Sequence, residues 1–349
     1  MTPAEVRIDL AAYVRNLARV STVVAPAEVM AVLKADAYGH GLIAMAQAAV
    51  SAGIRSIGSL DVQTGLALRA SGVTDDVLVF AWLLSPDENF AAAVAAGIDL
   101  GVSTLAQLEA IAEAAPPARA RIHLKIDTGL HRNGASISDW PALVTRAVEL
   151  EGLEAIELVG VWTHIAEASE AEDTESIRRF HEAIAVAQSL GAAFEVRHLA
   201  ASAASFARPD ARFDLVRVGA FGYGISPGGG ITARSLGLVP VMTVSAPITS
   251  ALDGVARVGI GFSDGISSAN AGAVSVAIDR VQYPVVAVGV DELVVEIGDA
   301  AIDSGSRAVL FGDGSQGEQT LQEWADATGT IGEEIVTRLS STLPRTYVD

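Results

Sequence analysis

A lysine ends the apolar run in the segment Ala31-Val32-Leu33-Lys34-Ala35-Asp36-Ala37-Tyr38-Gly39-His40-Gly41, where a strand gives way to a glycine-flanked turn. In that position Lys34 is shielded from water on one side and open to a pocket on the other. Such an amine loses its proton easily and can form a Schiff base with an aldehyde. The alternative is a surface lysine at a strand end, and the full eleven-residue pattern favours the reactive amine.

This segment opens a long alternation of short β-branched runs with alanine-rich stretches of helical length. The strand-like runs are residues 30–34, 56–60, 77–81, 99–103, 121–127, 158–164, 194–200 and 214–220. Helical candidates between them include residues 41–52, 61–70, 104–114 and 171–190. Eight strands, most followed by a helix-length connection, predict a closed (β/α)8 barrel. An open doubly wound sheet alternates in the same way but seldom runs to eight regular units.

The alternation of strand-like and helical runs stops after Gly224. Strand-like runs then follow one another closely, at residues 239–247, 254–262, 273–279, 285–297 and 307–311, with one helix at 320–327. Tight-turn signals such as Asp253-Gly254 and Asp264-Gly265 separate several of them. We therefore expect a barrel domain over residues 1–225 and a mostly β domain over 226–349, linked by 226–230. The first ten or so residues are candidates to pair with the second domain.

Composition excludes several classes of protein. The 349 residues carry a formal net charge of −19, which argues against a nucleic-acid or anionic-membrane partner, because phosphate binding needs clustered Lys and Arg. Cysteine is absent, which excludes disulfides, thiolate metal sites and cysteine nucleophiles, and we predict no metal site. No secretory signal and no membrane-spanning apolar run is visible. We expect a cytoplasmic protein.

Polar side chains of catalytic type stand where the predicted strands end. They are Lys34, Lys125 with Asp127, His164, Ser202 and Arg217. Each has an ordinary alternative: the histidine could be a buried core residue, the serine a helix cap and the arginine a surface ion pair. Because barrel enzymes hold their chemistry at the carboxyl ends of strands, the convergence of these groups on one rim favours an active site.

These stretches closely resemble alanine racemases, from Val6-Arg7-Ile8-Asp9-Leu10 to Pro344-Arg345-Thr346-Tyr347. The resemblance implies a (β/α)8 barrel with a C-terminal β domain and pyridoxal 5'-phosphate as cofactor. It implies a small amino-acid substrate, with alanine as the family default. It also implies a homodimer whose active sites borrow residues from the partner, so the oligomeric state rests on the resemblance alone.

By resemblance, Lys34 would bind the cofactor and act as the base on one face of the substrate, and Tyr38 would contact the phosphate. The segment from Leu124 to Gly134 matches a family element in which Arg132 would face the cofactor phenolate and the substrate carboxylate, a role suited to a planar guanidinium. Lys125 stands where many members carry a carbamylated lysine, a modification that sequence does not show.

Further matches concern the ring and phosphate of the cofactor. His164 would pack against the pyridine ring, and Ser202, Gly219 and Ala220 would contact the phosphate. Arg217 would meet the pyridine nitrogen. A guanidinium that keeps its proton leaves that nitrogen unprotonated and weakens the cofactor as an electron sink. A weak sink favours simple reprotonation over transamination, so Arg217 points to racemisation.

Two departures from the family pattern bear directly on the chemistry. Racemisation needs a second proton-transfer group, which the family supplies as a tyrosine in a GYxDG element. This chain has Gly261-Phe262-Ser263-Asp264-Gly265, so the phenol is missing. If this segment is a strand, Ser263 points to the opposite face and is a poor substitute. Tyr283 and Tyr223 lack the sequence context of that tyrosine.

The second departure is Glu333, which replaces a family tyrosine at the phosphate. A carboxylate there repels phosphate, so either Glu333 points elsewhere or the affinity for the cofactor is reduced. Asp291 is kept as a catalytic candidate, and Val290 replaces the methionine before it. Three hypotheses follow: a racemase of alanine or another amino acid, a cofactor-binding protein that no longer racemises, and a one-base enzyme such as a decarboxylase. Arg217 argues against the last.

Overall fold

The computed structural model describes residues 3–85, 87–115, 117–167, 169–303 and 305–349, which fall into two compact units. Val20–Lys34 and Ala49–Gly219 form the first, called the barrel unit here. Met1–Arg19, Ala35–Ala48 and Ala220–Asp349 form the second, the sheet unit. The chain begins with strand β1 (Glu5–Asp9), followed by helix α1 (Leu10–Val24).

The barrel unit is a closed ring of parallel strands. In the described ranges its eight strands are β2 (Glu28–Val32), β3 (Ser56–Leu60), β4 (Leu78–Ala81), β5 (Ile98–Val102), β6 (Ala120–Lys125), β7 (Ile156–Trp162), β8 (Val196–His198) and β9 (Leu215–Val218). Pairing of β9 with β2 closes the ring and sets Met30 opposite Arg217. Because all the strands run in one direction, their carboxyl ends share one rim.

Helices follow most of these strands. They are α2 (Lys34–Gly39), α3 (Leu42–Ser51), α4 (Val62–Ala70), α5 (Phe90–Ala95), α6 (Leu105–Ala114), α7 (Trp140–Gly152), α8 (Glu170–Ser189) and α9 (Ser202–Ala207). Side-chain oxygens of Asp61, Thr104 and Ser169 accept hydrogen bonds from the first turns of α4, α6 and α8. These caps satisfy backbone N–H groups that have no partner within the helix, and so fix where each helix begins.

Large side chains fill the interior of the barrel. Met30, Phe80, Trp162 and Leu215, from four different strands, are buried together. The rings of Phe80 and Trp162 meet edge to face, with centroids 5.4 Å apart. The barrel is therefore a packed core, and chemistry is confined to its rim.

The sheet unit is mostly β. Its later elements are α10 (Ala233–Leu236), β10 (Met242–Leu252), β11 (Val255–Val258), β12 (Ser275–Ile278), β13 (Val281–Val288), β14 (Leu293–Glu296), β15 (Arg307–Gly312), β16 (Gln319–Thr320), α11 (Leu321–Thr328), α12 (Gly332–Arg338) and β17 (Arg345–Val348). Within the described residues nine strands pair in the order β16-β15-β12-β13-β14-β11-β10-β1-β17. Strand β1 pairs antiparallel with β10 and parallel with β17.

The predicted architecture, a (β/α)8 barrel followed by a mostly β region, is confirmed. One predicted strand is wrong: residues 285–297 form parts of two antiparallel strands, β13 and β14, with Val288 opposite Leu293. The run reads as continuous because apolar residues extend on both sides of the turn. Tyr283 lies in β13, opposite Val276 of β12.

Candidate active site

The barrel unit gathers basic side chains at the carboxyl ends of its strands. Lys34 follows β2, Lys125 ends β6 and Arg217 lies in β9. Of the 23 Lys and Arg residues in the sequence, two are lysines, and both stand at this rim. Among the described residues, Lys125, Arg132 and Arg217 form no ion pair with a carboxylate. The rim is therefore electropositive and suited to an anionic ligand, although the whole chain is acidic.

Hydrogen bonds to both terminal nitrogens hold Arg217 in place. Its Nη2 atom donates to the carbonyl oxygens of Thr163 and Leu199, each at 2.9 Å. The same atom donates to His164 Nδ1 at 3.0 Å, and Nη1 donates to His198 Nδ1 at 3.1 Å. Burial is the main cause that lowers the pKa of Arg217, to about 9. The guanidinium is therefore still protonated at neutral pH, in one fixed orientation.

His164 follows β7 and faces this guanidinium. Because Arg217 donates to Nδ1, the neutral imidazole carries its proton on Nε2. Burial lowers the pKa of His164 to about 2, and the charges of Arg217 and Arg132 act in the same direction. His164 is therefore neutral at physiological pH and presents an Nε2–H donor.

Lys125 is almost fully buried at the end of β6. Its Nζ atom donates to Oδ1 of Asn133. Burial, followed by the charges of Arg217 and Arg132, lowers the pKa of Lys125 to about 7. An amine with that pKa is partly uncharged near neutral pH, and the uncharged form is the one that reacts with carbon dioxide.

A loop organised by Asp127 carries Arg132. The Oδ1 atom of Asp127 accepts from the N–H groups of Gly129 at 3.0 Å and His131 at 3.1 Å. Backbone bonds Asp127 N–Ala135 O and Ala135 N–Lys125 O close the loop at 2.9 and 2.8 Å. The sequence places Asp127 among the reactive groups of the rim, but its carboxylate is occupied in folding this loop. The side chain of Arg132 is exposed.

Ser202 and Gly219 meet beside the ends of β8 and β9. The N–H of Gly219 donates to Ser202 Oγ at 3.1 Å. Ser202 lies beyond the strand, as the predicted run 194–200 implies, because β8 stops at His198 and Ser202 is the first residue of α9. The structure brings together two groups that the resemblance assigns to a phosphate.

In the sheet unit, the segment after Lys34 adopts a left-handed conformation. Residues 35–38 have φ between 52° and 55° and ψ between 40° and 54°. Left-handed residues other than glycine cost about 1–2 kcal/mol each. Asp36 offsets part of this strain, because its Oδ1 atom accepts from Leu42 N at 2.8 Å and its carbonyl from Gly41 N at 2.9 Å. Such strain is typical of functional segments.

The strained turn ends at Tyr38, which packs within a cluster of aromatic rings. The centroid of its ring lies 4.9 Å from that of Tyr223, which stacks on Tyr13 at 5.3 Å. Burial raises the pKa of Tyr38, and the negative charge of Glu333 raises it further. That charge therefore acts on the residue that the resemblance places at the phosphate. Nearby, the carbonyl of Ala220 accepts from Tyr223 N at 3.1 Å and from Ile225 N at 2.9 Å.

Phe262, Ser263 and Asp264 form a short 3-10 helix, not a strand. Successive side chains in such a helix point about 120° apart, so the strand argument about Ser263 is wrong. The hydroxyl of Ser263 donates to Asp291 Oδ1 at 3.0 Å. Phe262 is 53% exposed and has no group that transfers a proton. The side chain of Asp291 thus supports this segment.

Sequence reasoning missed several residues that shape the rim. Two of them contact Lys125: Asn133 accepts a hydrogen bond from it, and the ring of Trp162 lies under its amine. The others are the buried polar residues Asp99, His123 and His198. A signal was present for His123, since it interrupts the apolar residues of β6. Its partners lie on other strands, and sequence spacing does not show which residues meet across a barrel.

Comparison with known proteins identifies the same family over nearly the whole chain. Residues 8–227 match the family model described as "Alanine racemase, N-terminal domain", and residues 246–347 match "Alanine racemase, C-terminal domain". The chain is 40% identical over 369 residues to the alanine racemase of Thermobifida fusca, covering 99% of this chain and 98% of that protein.

Solved structures agree with the sequence relatives. The alanine racemase of Streptomyces coelicolor A3(2) superposes with a TM-score of 0.96 at 38% identity, covering 99% of this chain and 98% of that one. That of the D-cycloserine producer Streptomyces lavendulae gives a TM-score of 0.94 at 33% identity, covering 100% and 98%.

Proposed function

The chain belongs to the alanine racemase family, and from this premise we propose that it interconverts L-alanine and D-alanine with pyridoxal 5'-phosphate. The observation that carries the proposal is the buried guanidinium of Arg217 at the rim that holds Lys34. A group that keeps its proton does not protonate the pyridine nitrogen, and the weakened electron sink favours return of a proton to the α-carbon.

Pyridoxal 5'-phosphate fits the residues present. The cofactor is anionic, and Lys125, Arg132 and Arg217 have no carboxylate partner in the part of the chain that the structure describes. Lys34 supplies a primary amine for its aldehyde. The hydroxyl of Ser202 and the N–H of Gly219, which already meet, are suitable phosphate donors.

Each candidate residue has a distinct task. When bound, the cofactor withdraws electrons from the attached amino acid and so acidifies its α-hydrogen. Lys34 would hold the cofactor and move a proton at the α-carbon on one face. Arg132, exposed on its loop, would bind the substrate carboxylate, because a planar guanidinium matches carboxylate geometry. His164 would pack as a neutral ring against the pyridine.

The resemblance also gives roles to residues of the sheet unit. Tyr38 and the backbone of Ala220 would contact the phosphate. Asp291 would position its segment through the hydroxyl of Ser263, at 3.0 Å. A proton-transfer group on the second face of the substrate is missing at Phe262. That substitution, together with Glu333, favours a second candidate function: a protein that binds the cofactor without racemising.

We infer a homodimer with shared active sites, in the cytoplasm, acting on a small amino acid. The large exposed side chains of Phe262 and Val290, each 53% exposed, support an interface on the sheet unit. Among the described helices, none is long and apolar enough to cross a bilayer. The division into a barrel domain (1–225) and a β domain (226–349) is likewise a proposal, which limited proteolysis tests.

Incubation of the cofactor-loaded protein with L-alanine, and separately with D-alanine, in D2O tests the activity. We expect both enantiomers to invert and to gain deuterium at the α-carbon. Exchange of one enantiomer without inversion would mean that Lys34 acts alone. Absence of exchange and inversion would support the binding function.

The role of Lys34 has an independent test. Borohydride reduction of the loaded protein fixes the cofactor on the lysine that holds it, and peptide mass mapping then locates it. Since the chain has two lysines, Lys125 is a built-in control. Cofactor found on Lys125 would overturn the assignment.

A further inference from the structure

A line of buried polar side chains runs through the barrel below Arg217. Asp99 Oδ2 lies 3.1 Å from His123 Nε2, and His123 Nδ1 lies 3.0 Å from His198 Nε2. His198 Nδ1 accepts from Arg217 at 3.1 Å. These four residues, called the Asp99–Arg217 relay here, are between 0% and 4% exposed. They come from four different strands, β5, β6, β8 and β9.

The hydrogen-bonding rules allow one proton arrangement along this relay. Arginine only donates, so His198 Nδ1 is an acceptor and its proton is on Nε2. That proton must be donated to His123 Nδ1, which leaves the proton of His123 on Nε2, aimed at Asp99. An ionised carboxylate only accepts, so the last contact is also satisfied. Both imidazoles are then neutral, with charges only at the two ends.

The charges around the relay agree with this proton arrangement. Arg121 donates to Asp99 at 2.9 Å and to Glu157 at 2.9 Å. Arg121 and Glu157 offset one another, which leaves the charge of Asp99 for Arg217. Burial raises the pKa of Asp99, but the hydrogen bond from His123 and the charge and hydrogen bond of Arg121 outweigh it and hold that pKa below its usual value. Asp99 is therefore an anion despite its burial.

The surroundings are shaped to hold the relay. His123 is opposite Gly160 of β7, where an added Cβ would lie 2.2 Å from His123 Nδ1, so glycine leaves the room that this ring needs. The ring of Trp162 stacks on that of His198 with an interplanar angle of 3°, and the ring centroids of Phe80 and His123 are 4.8 Å apart. Aromatic walls keep the effective dielectric low and strengthen each polar contact.

We propose that Asp99 is a positioning residue for Arg217, which it holds through the two oriented imidazoles of His123 and His198. Asp99 is the anion that sets the direction of every hydrogen bond in the relay. His198 is thereby fixed as an acceptor, and the guanidinium is held toward the rim. The consequence for catalysis rests on the proposed function, whereas the proton arrangement does not.

Replacing the Asp99 carboxylate by an amide should reverse the direction of the hydrogen bonds along the relay. In Asp99→Asn, the single carbonyl oxygen faces Arg121, which needs an acceptor, and the amide N–H faces His123. His123 must then carry its proton on Nδ1 and donate to His198 Nε2. His198 in turn carries its proton on Nδ1, facing an N–H of Arg217. Two donors oppose each other, and the contact with Arg217 is lost.

Nitrogen-15 NMR of the histidine rings tests the relay in the full chain without cofactor. In the unaltered protein we expect pyrrole-type Nε2 and pyridine-type Nδ1 signals for His123 and His198, with scalar coupling across the bond between them. A proton on Nδ1 of either ring, or on both nitrogens of one, would overturn the proposal. This measurement decides the question even if the variant does not fold.

The Asp99→Asn variant provides a second test of the proposal. Asp99→Asn should move the proton of both rings to Nδ1, while the control Asp214→Asn, which removes a carboxylate paired with Arg197 at 2.7 Å on the same barrel, should leave both tautomers unchanged. Unchanged tautomers in Asp99→Asn would contradict the proposal. In the loaded enzyme, we expect kcat to fall by about 10- to 100-fold, as for other misplaced groups, with a smaller change in KM. An inactive unaltered protein with the expected tautomers would refute the function and leave the relay intact.

Discussion

The Nζ atom of Lys125 lies 4.2 Å from the centroid of the Trp162 ring, inside the end of the barrel. A cation over an indole face is stabilised by about 0.5–2 kcal/mol. This contact does not compensate for burial beside Arg217 and Arg132, which lowers the pKa of Lys125 to about 7. The site therefore holds an amine that changes its charge near neutral pH.

Lys125→Met should remove a pH dependence of stability. The folded pKa of about 7 is below the usual 10.5, so between these values the unfolded chain binds more protons. The free energy of unfolding of the unaltered protein should therefore rise with pH across this window, by up to ~5 kcal/mol, because each pKa unit corresponds to about 1.36 kcal/mol. Chemical denaturation in carbonate-free buffer measures it. Arg197→Met is the control, since arginine does not titrate in this range.

Phe262→Tyr should increase alanine racemisation. The substitution adds a phenol where the resemblance places a second proton-transfer group, and one such group contributes about 10²–10⁴-fold in rate. Turnover of both enantiomers, followed by circular dichroism, measures the gain. Phe262→Leu keeps an apolar side chain at this exposed position and should give no gain. Equal rates for the tyrosine and leucine variants would contradict the prediction.

Glu333→Gln should strengthen binding of pyridoxal 5'-phosphate. The variant removes a negative charge that acts on Tyr38, the candidate phosphate ligand. Loss of one partly screened like charge should lower Kd by about 5- to 30-fold. Fluorescence titration measures the change. The neighbouring Glu334 pairs with Arg338 at 2.6 Å on the surface, so Glu334→Gln should leave Kd unchanged. A similar Kd shift in both variants would point to net charge instead.

Gly160→Ala should destabilise the barrel. The added Cβ would lie 2.2 Å from His123 Nδ1, so the ring must move and the bond to His198 must lengthen. Overpacking of this kind costs about 1–3 kcal/mol in the free energy of unfolding. Gly152→Ala is the matched control, because no atom lies within 4 Å of its added Cβ. Similar stability of both variants in urea would show that the His123 ring has room to shift.

The sequence predicted the candidate site best where one local pattern carries the information. Lys34 is recognisable because an apolar run, a lysine and a glycine-flanked turn follow one another within a few residues. Arg217 lies inside the predicted strand run 214–220, and its role at the cofactor follows from the resemblance. Prediction failed at Ser263, because backbone hydrogen bonds to a distant segment, and not local residue preference, fold residues 262–264 into a 3-10 helix.

By itself, the sequence determined the alternation of strands and helices, the two lysines and the absence of a phenol at position 262, which is phenylalanine. These follow from hydrophobic periodicity and residue identity, which are properties of neighbouring positions. Only the tertiary structure decided that Asp99, His123 and His198 connect to Arg217, and that Lys125 is buried against Trp162. Both depend on how eight strands are staggered round a closed barrel, and on the low dielectric inside it. That environment sets which protons a side chain keeps.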